Sequence, residues 1–321
     1  MRSTPARNRL RVAEVFGLDP LPLRLREAML TLRGDGQTPP SRYGLSSLRL
    51  LRPAIALPLW AGRPARGRSV PITNLYSYVR PPPEFGWSVR VTTARDFRGK
   101  QLTYDSHNGT DFAVPIGTTV VAAASGHVRR ISSEFNRGGL KIFIDHGDGL
   151  ITTSNHLARA LVRVGDRVDR GDAIALSGYS GIDGLVTFPF GAPHVHFNVW
   201  LDGEYVDPFA PDGVTSMWRV RNAPEPHRAG ERGEGEPTPI TEWDSSSVAR
   251  GIDACAHTPA RDEMAAIPDL AERAMALLMQ CNYYPTRFRE RPALYSTQHP
   301  RTPRLDLPFR AADFDGIWFP D

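Results

Sequence analysis

The stretch Gly191–Trp200 reads Gly-Ala-Pro-His-Val-His-Phe-Asn-Val-Trp, and no other run constrains this chain as much. Its apolar residues fall on alternate positions, the pattern of a β-strand. Side chains two residues apart on a strand share a face, so His194 and His196 point together while Val195 and Phe197 pack on the other side. Two imidazoles on one strand face are either a satisfied polar pair or part of a site. Upstream residues favour a site: His107-Asn-Gly-Thr-Asp111 is an H-x-x-x-D, and Asn155-His156-Leu157 adds another imidazole. Several imidazoles with one carboxylate suit Zn²⁺. Asn108-Gly109 is a turn signal, so this is not the helical H-E-x-x-H arrangement.

That strand closes a series. Short strand-like runs with glycine turns cover Thr119–Ala123, His127–Ile131, Leu140–Asp145, Leu150–His156 and Ala173–Ser177, and Gly86–Val91 alternates ahead of them. Helical spacing is nearly absent over this stretch, which predicts a β domain. It contains a repeat: Val114-Pro-Ile-Gly-Thr-Thr-Val120 and Val162-Arg-Val-Gly-Asp-Arg-Val168 share V-x-[IV]-G-x-x-V. A repeated β unit predicts a sandwich or barrel of two related halves. Leu201-Asp-Gly-Glu204 is a hairpin-turn signal at its end.

The flanks differ in texture. Arg9–Phe16 and Leu23–Leu32 carry helical apolar spacing, broken by Pro20 and Pro22, with Gly34 as a stop. Residues 34–80 are rich in Pro, Gly, Arg and Ser and predict an extended wrap. The tract Gly230-Glu-Arg-Gly-Glu-Gly-Glu-Pro-Thr-Pro239 reads as linker. Pro268 opens a helix with Leu270, Ala274, Leu277, Leu278 and Cys281 on one face, and a Pro- and Arg-rich tail follows Pro285. The expected organisation is an N-terminal extension (1–84), a β domain (85–210), a polar linker (211–258) and a helical segment with a tail (259–321).

Composition excludes some functions. The net charge of +4 is spread without a Lys/Arg block, so nucleic-acid binding is not expected. No apolar run is long enough to span a membrane. The first twenty residues hold no apolar h-region, and the nearest imitation of a signal, Ala54–Gly62, is interrupted by Pro58. Cys255 and Cys281 lie outside the histidine-rich region and could form one disulfide or stay as free thiols.

The motifs together resemble the lysostaphin/LytM-type zinc metallopeptidases. The likeness runs through His107-x-x-x-Asp111, Gly117-Thr-x-Val120, Ala122-Ala-Ala-Ser-Gly126-x-Val128 and Ile144-Asp-His-Gly-Asp-Gly149. It continues through His156-Leu157, Val164-Gly165-x-x-Val168-x-x-Gly171, His194-Val-His196-Phe197 and Gly203-x-x-Val206-x-Pro208, or roughly residues 85–210. The resemblance implies an antiparallel β-sandwich with a duplicated hybrid motif, here with short flanking helices and loop-rich extensions. It implies one Zn²⁺ per chain on His107, Asp111 and His196, with His156 and His194 as catalytic histidines. The implied activity is hydrolysis of peptide crosslinks or stem peptides of bacterial peptidoglycan. A non-catalytic wall- or partner-binding module on the same fold is the alternative. A phosphocarrier would use paired histidines without the H-x-x-x-D.

The chain departs from the family pattern at two places. Ser154 stands where many members have an aromatic, two residues before the histidine of the H-L pair. The usually short loop before the H-x-H strand is here Ile182–Ala192, with Leu185, Val186, Phe188 and Phe190. Phe188 and Phe190 are expected to wall the groove, stiffened by Pro189. His146, in a family-typical turn, is expected to be structural.

Overall fold

The computed structural model describes residues 10–228, 230, 241–295 and 297–321. Among them the β runs form one 11-stranded sheet. In chain order the strands are β1 (Ser69–Asn74), β2 (Thr110–Ala113), β3 (Thr119–Val121), β4 (Gly126–Glu134), β5 (Gly139–Asp145) and β6 (Leu150–Ala160). Then come β7 (Arg167–Val168), β8 (Ala173–Ser177), β9 (His194–Leu201), β10 (Glu204–Val206) and β11 (Gly316–Trp318). The main path runs β11-β1-β2-β9-β6-β5-β4-β7, with β10 on β9 and β8 bridging β3 and β6. Every pair is antiparallel except β1 with β11. The mainly-β expectation is therefore met.

The alternation of β9 sets the layers. Val195, Phe197 and Val199 enter a core with Phe112, Ile142 and Leu157, closed from the C-terminal side by Trp218, Leu305, Leu307 and Phe309. The other face of β9 carries His194, His196, Asn198 and Trp200. Trp200 joins a second core with Phe143, Ile151 and the helices Ser245–Asp253, Thr258–Ala265 and Leu270–Tyr283. One end of that face is thus covered by helices, and the other end presents the histidines. The expected apolar stripe of the helix Leu270–Tyr283 is present: Ala274, Leu277, Leu278 and Cys281 are all buried, and Asp269 caps the helix by accepting from Glu272 N at 2.9 Å.

Three sequence expectations change. Gly86–Val91 is not a strand and offers only a bridge between Arg42 and Ser88. Two of its backbone donors are taken by side chains: Ser88 N donates to Ser106 Oγ, and Val91 N to Ser46 Oγ. The extended wrap holds the helix Pro53–Trp60 and β1. The helix packs Ile55, Ala56 and Leu59 on Ala113 and Ala192, so the stretch resembling a signal is a core element. The loop Ile182–Ala192 begins as the short helix Ile182–Thr187. Of the linker tract, residues 231–239 lie outside the described residues. Both cysteines are buried and unbonded. Among the described residues no helix is long and apolar enough to cross a membrane.

His146 is buried, 2.9 Å from Ser125 O through Nδ1 and 2.8 Å from Thr152 Oγ1 through Nε2. Burial pushes its pKa down to about 4. The unfolded imidazole titrates near its ordinary value of about 6.5, so the unfolded chain takes up the proton first as pH falls. Stability should decline between these two values, by up to about 3 kcal/mol from this group alone. Melting temperature followed from pH 7 to 4 should fall less steeply in His146→Gln. An unchanged slope excludes His146 as a source.

Candidate metal centre

Register builds the site. β2 and β9 pair antiparallel with Asp111 opposite His196 and Ala113 opposite His194. His107 precedes β2 in a turn that must run tight against β9. A Cβ added to Gly109 would lie 2.6 Å from Phe197 O and 2.9 Å from His196 Nε2, so only glycine fits there. The result is a buried cluster: Asp111 Oδ1 lies 3.0 Å from His107 Nε2 and 2.7 Å from His196 Nδ1, and the two nitrogens are 3.1 Å apart.

The outer contacts of each ring decide what these atoms can do. His107 Nδ1 is 2.6 Å from Leu75 O, which only accepts, so the ring proton sits there and Nε2 keeps its lone pair. His196 Nε2 has an acceptor, Asn108 Oδ1, at 3.0 Å and a donor, Asn198 Nδ2, at 2.9 Å; with the ring proton directed at Asn108 Oδ1, Nδ1 is a lone pair. Asn198 Nδ2 donates to that same Asn108 oxygen and to Asn108 O, locking the amide. Three acceptors therefore face one another in a buried space, where unbalanced lone pairs are costly. A shared proton would satisfy one pair; a divalent cation satisfies all three. The donor set, two imidazoles and a carboxylate, is one Zn²⁺ accepts. Among the described residues this is the one group of His, Cys, Asp or Glu close enough to hold a metal.

Charge follows the geometry. Burial opposes ionisation of Asp111, but His107, His194 and the hydrogen bonds of His107 and His196 outweigh it and hold the carboxyl well below its usual range. Burial pushes His196 down to about 4 against the pull of Asp111, so it is neutral at pH 7, as a ligand must be.

His194 and His156 flank the cluster without joining it. His194 Nδ1 is 2.8 Å from Ala192 O, and its Nε2 stands 3.5 Å from Asp111 Oδ1, longer than the contacts within the cluster. His156 Nδ1 is 2.8 Å from Ser180 O, which leaves Nε2 free. The two rings lie 4.8 Å apart between centroids, with Tyr179 against both. Burial, then the neighbouring His194 and His196, push His156 well below the ordinary histidine range. His156 has φ 60°, a left-handed conformation in the middle of β6. Such strain of order 1–3 kcal/mol persists only where surroundings over-determine it.

A cavity of about 240 Å³ opens on the cluster, lined by Asp111, His156, His194 and His196. Its far wall comes from the N-terminal extension, with Tyr43, Leu48, Leu50 and Leu51. Val186 and Thr187 also line it, but Phe188 and Phe190 do not. This corrects the expected groove wall. The ring of Phe188 packs edge-on against Trp60 at 4.9 Å and Phe16 at 5.9 Å, so the flanks claim it. Ser154 is buried within the sheet.

Sequence reasoning missed the residues that hold the ligands. Asn198 was findable, two residues past His196 on the same strand face. Asn74 carried no signal, yet its Nδ2 donates to Asp111 Oδ2 at 2.8 Å. Partners of this kind typically change metal affinity 10- to 100-fold, so Asn74→Ala should weaken zinc binding by about that factor in a chelator competition. Wild-type affinity in the variant would make the contact incidental.

Residues 105–208 match the model described as peptidase family M23. The peptidoglycan DD-endopeptidase ShyA of Vibrio cholerae is 39% identical over 101 residues, 32% of this chain and 22% of that protein. The murein hydrolase activator EnvC of Escherichia coli is 33% identical over 124 residues, 38% of this chain and 27% of that one. Among solved structures, the catalytic domain of the antimicrobial peptidase lysostaphin from Staphylococcus simulans is 32% identical and covers 32% of this chain and 77% of that domain, with a TM-score of 0.28. The chain spans about a fifth to a quarter of the length of the curated relatives it matches. Residues 105–208, about a third of the chain, are thus similar to peptidase family M23.

Proposed function

We propose that this chain is a zinc-dependent endopeptidase that hydrolyses peptide bonds in peptidoglycan crosslinks or stem peptides. The observation that carries the reading is the complete donor set: His107 Nε2, Asp111 Oδ1 and His196 Nδ1 converge, the His107 ring is held in the tautomer that frees its facing lone pair, and Asn108 Oδ1 offers the His196 ring the same. His107, Asp111 and His196 would hold Zn²⁺, which would supply Lewis acidity and lower the pKa of an attacking water to about 7. His156, neutral and with Nε2 free, can take a proton from that water and return it to the leaving amine. His194, whose Nδ1 faces Ala192 O, can donate to the developing oxyanion through Nε2 when that atom also carries a proton. The opposite division of these two roles uses the same geometry. The relatives include a protein named as an endopeptidase and one named as an activator, so a binding module is the second reading. The intact donor set and the paired free histidines favour the enzyme.

We also read residues 85–210 as the peptidase domain and its repeat as a duplicated hybrid motif in a sandwich. In both copies a glycine with positive φ, Gly117 (81°) and Gly165 (91°), turns the chain into a short strand.

The direct test is digestion of purified peptidoglycan by the zinc-loaded full chain, with fragments identified by mass spectrometry. New amine and carboxyl termini at one peptide bond, abolished by a chelator and restored by Zn²⁺, are expected. Zinc-loaded protein that binds peptidoglycan and releases nothing would favour the binding module.

A further inference from the structure

The metal-site cavity does not stand alone. On the other side of His156 and His196 a narrow cavity of about 40 Å³ continues past Asn108 and Arg137. Trp87, Asn108, Arg137 and Tyr283 line that passage and also a basin of about 190 Å³ beyond it. Shared lining residues thus set an apolar arm, the metal-site residues and a basin of different chemistry side by side along one face.

That basin is cationic and aromatic. Arg80, Arg137 and Arg291 line it with a single carboxylate, Glu204. Glu204 pairs with Arg291. Arg137 Nε and Nη1 donate to two backbone carbonyls, Tyr283 O at 3.1 Å and Asn136 O at 2.9 Å. Its guanidinium lies 5.3 Å from the Tyr284 ring and 5.8 Å from that of Trp87. Arg80 donates to Ser77 O and stacks 4.0 Å over Tyr76. Among the described residues neither Arg80 nor Arg137 pairs with a carboxylate. Rings and carbonyls fix the planes of both guanidinium groups but leave the charge unneutralised.

We propose that this basin is a substrate subsite for a carboxylate, held by Arg137 with Arg80 in support, beyond the metal site. The inference rests on the peptidase reading for its substrate class, because stem peptides carry free carboxyl groups. Arg offers a rigid fork that matches a carboxylate with two parallel hydrogen bonds. Aromatic walls exclude water and strengthen the attraction. A half-buried cation held away from full hydration gains more from an incoming anion than an exposed one does. The basin thus discriminates by charge, whereas the arm walled by Leu48, Leu50 and Leu51 accepts apolar groups.

The test uses the zinc-loaded full chain and one synthetic stem tetrapeptide, made as the free acid and with every carboxyl converted to carboxamide. Calorimetry on the wild type should show the acid binding about tenfold tighter or more, the scale expected of a charge-assisted pair. Arg137→Gln should close most of that gap, and Arg80→Gln, an exposed position, part of it, with melting temperatures close to wild type. Equal or absent binding of acid and amide by the wild type overturns the subsite. A gap that survives both substitutions places the carboxylate on the metal and overturns it too. Should Arg137→Gln fail to fold, the Arg80→Gln gap alone decides between these outcomes. Hydrolysis is scored separately. A chain that prefers the acid through Arg137 but cuts nothing refutes the peptidase reading and leaves the subsite standing.

Discussion

Replacing His196 by alanine is expected to strip the chain of its metal. Elemental analysis of the wild type should find about one zinc per chain, as three converging protein ligands require. In His196→Ala, His107 Nε2 and Asp111 Oδ1 remain, but two ligands leave the ion largely hydrated and free to exchange. Occupancy after dialysis should fall to about a tenth or less, since each missing ligand removes binding energy and none is replaced. The loss should not unfold the chain. The apolar face of β9, with Val195, Phe197 and Val199, is buried independently of the histidine face. Full zinc occupancy in the variant would remove His196 from the site. Collapse of the melting transition would mean that the polar cluster, and not the core, holds β2 against β9.

Much of this site was legible because strand geometry is regular. A period of two puts His194 and His196 on one face without any knowledge of the partner strands. Strand period alone does not partition that face, and in the sequence the division between His196 and His194 rested on the family resemblance. His196 stands opposite Asp111 and His194 opposite Ala113, and this depends on the register of β2 against β9, where the turn at Gly109 runs tight against β9. The flanks were read least well, for a physical reason. Pro71 sits inside β1 and masks its pattern, because proline usually argues against a strand interior. The helix Pro53–Trp60 contains Pro58 and is apolar nearly all round, so it shows no amphipathic stripe. Both elements take their structure from the surfaces they cover, and those surfaces lie far away in sequence. Asn74 and Leu75 O reach the ligands from this poorly legible segment. The N-terminal extension is thus part of the site, although nothing in its own composition says so.

His156→Ala and His194→Ala should behave unlike the ligand variants. Each is expected to keep its zinc and its fold while turnover falls by roughly two to four orders of magnitude, the usual loss for a general acid–base group. The 3.5 Å separation of His194 Nε2 from Asp111 Oδ1, and the tie of His156 Nδ1 to Ser180 O, support that separation of roles. Loss of zinc from either variant would show a ligand mistaken for a catalyst. The pH profile gives an independent reading. A general base works in its neutral form, and burial with two neighbouring imidazoles lowers the pKa of His156. The base form therefore persists below the pH at which a free histidine, with pKa about 6.5, would protonate. Activity should hold from pH 8 down through neutrality and be lost on further acidification, with the midpoint of the acid limb below about 6.5. In His156→Ala the residual rate should lose this limb as long as zinc stays bound. An acid limb centred above about pH 7 would require an imidazole stabilised in its charged form, the opposite of what burial imposes on His156, and would assign the proton transfer to another group.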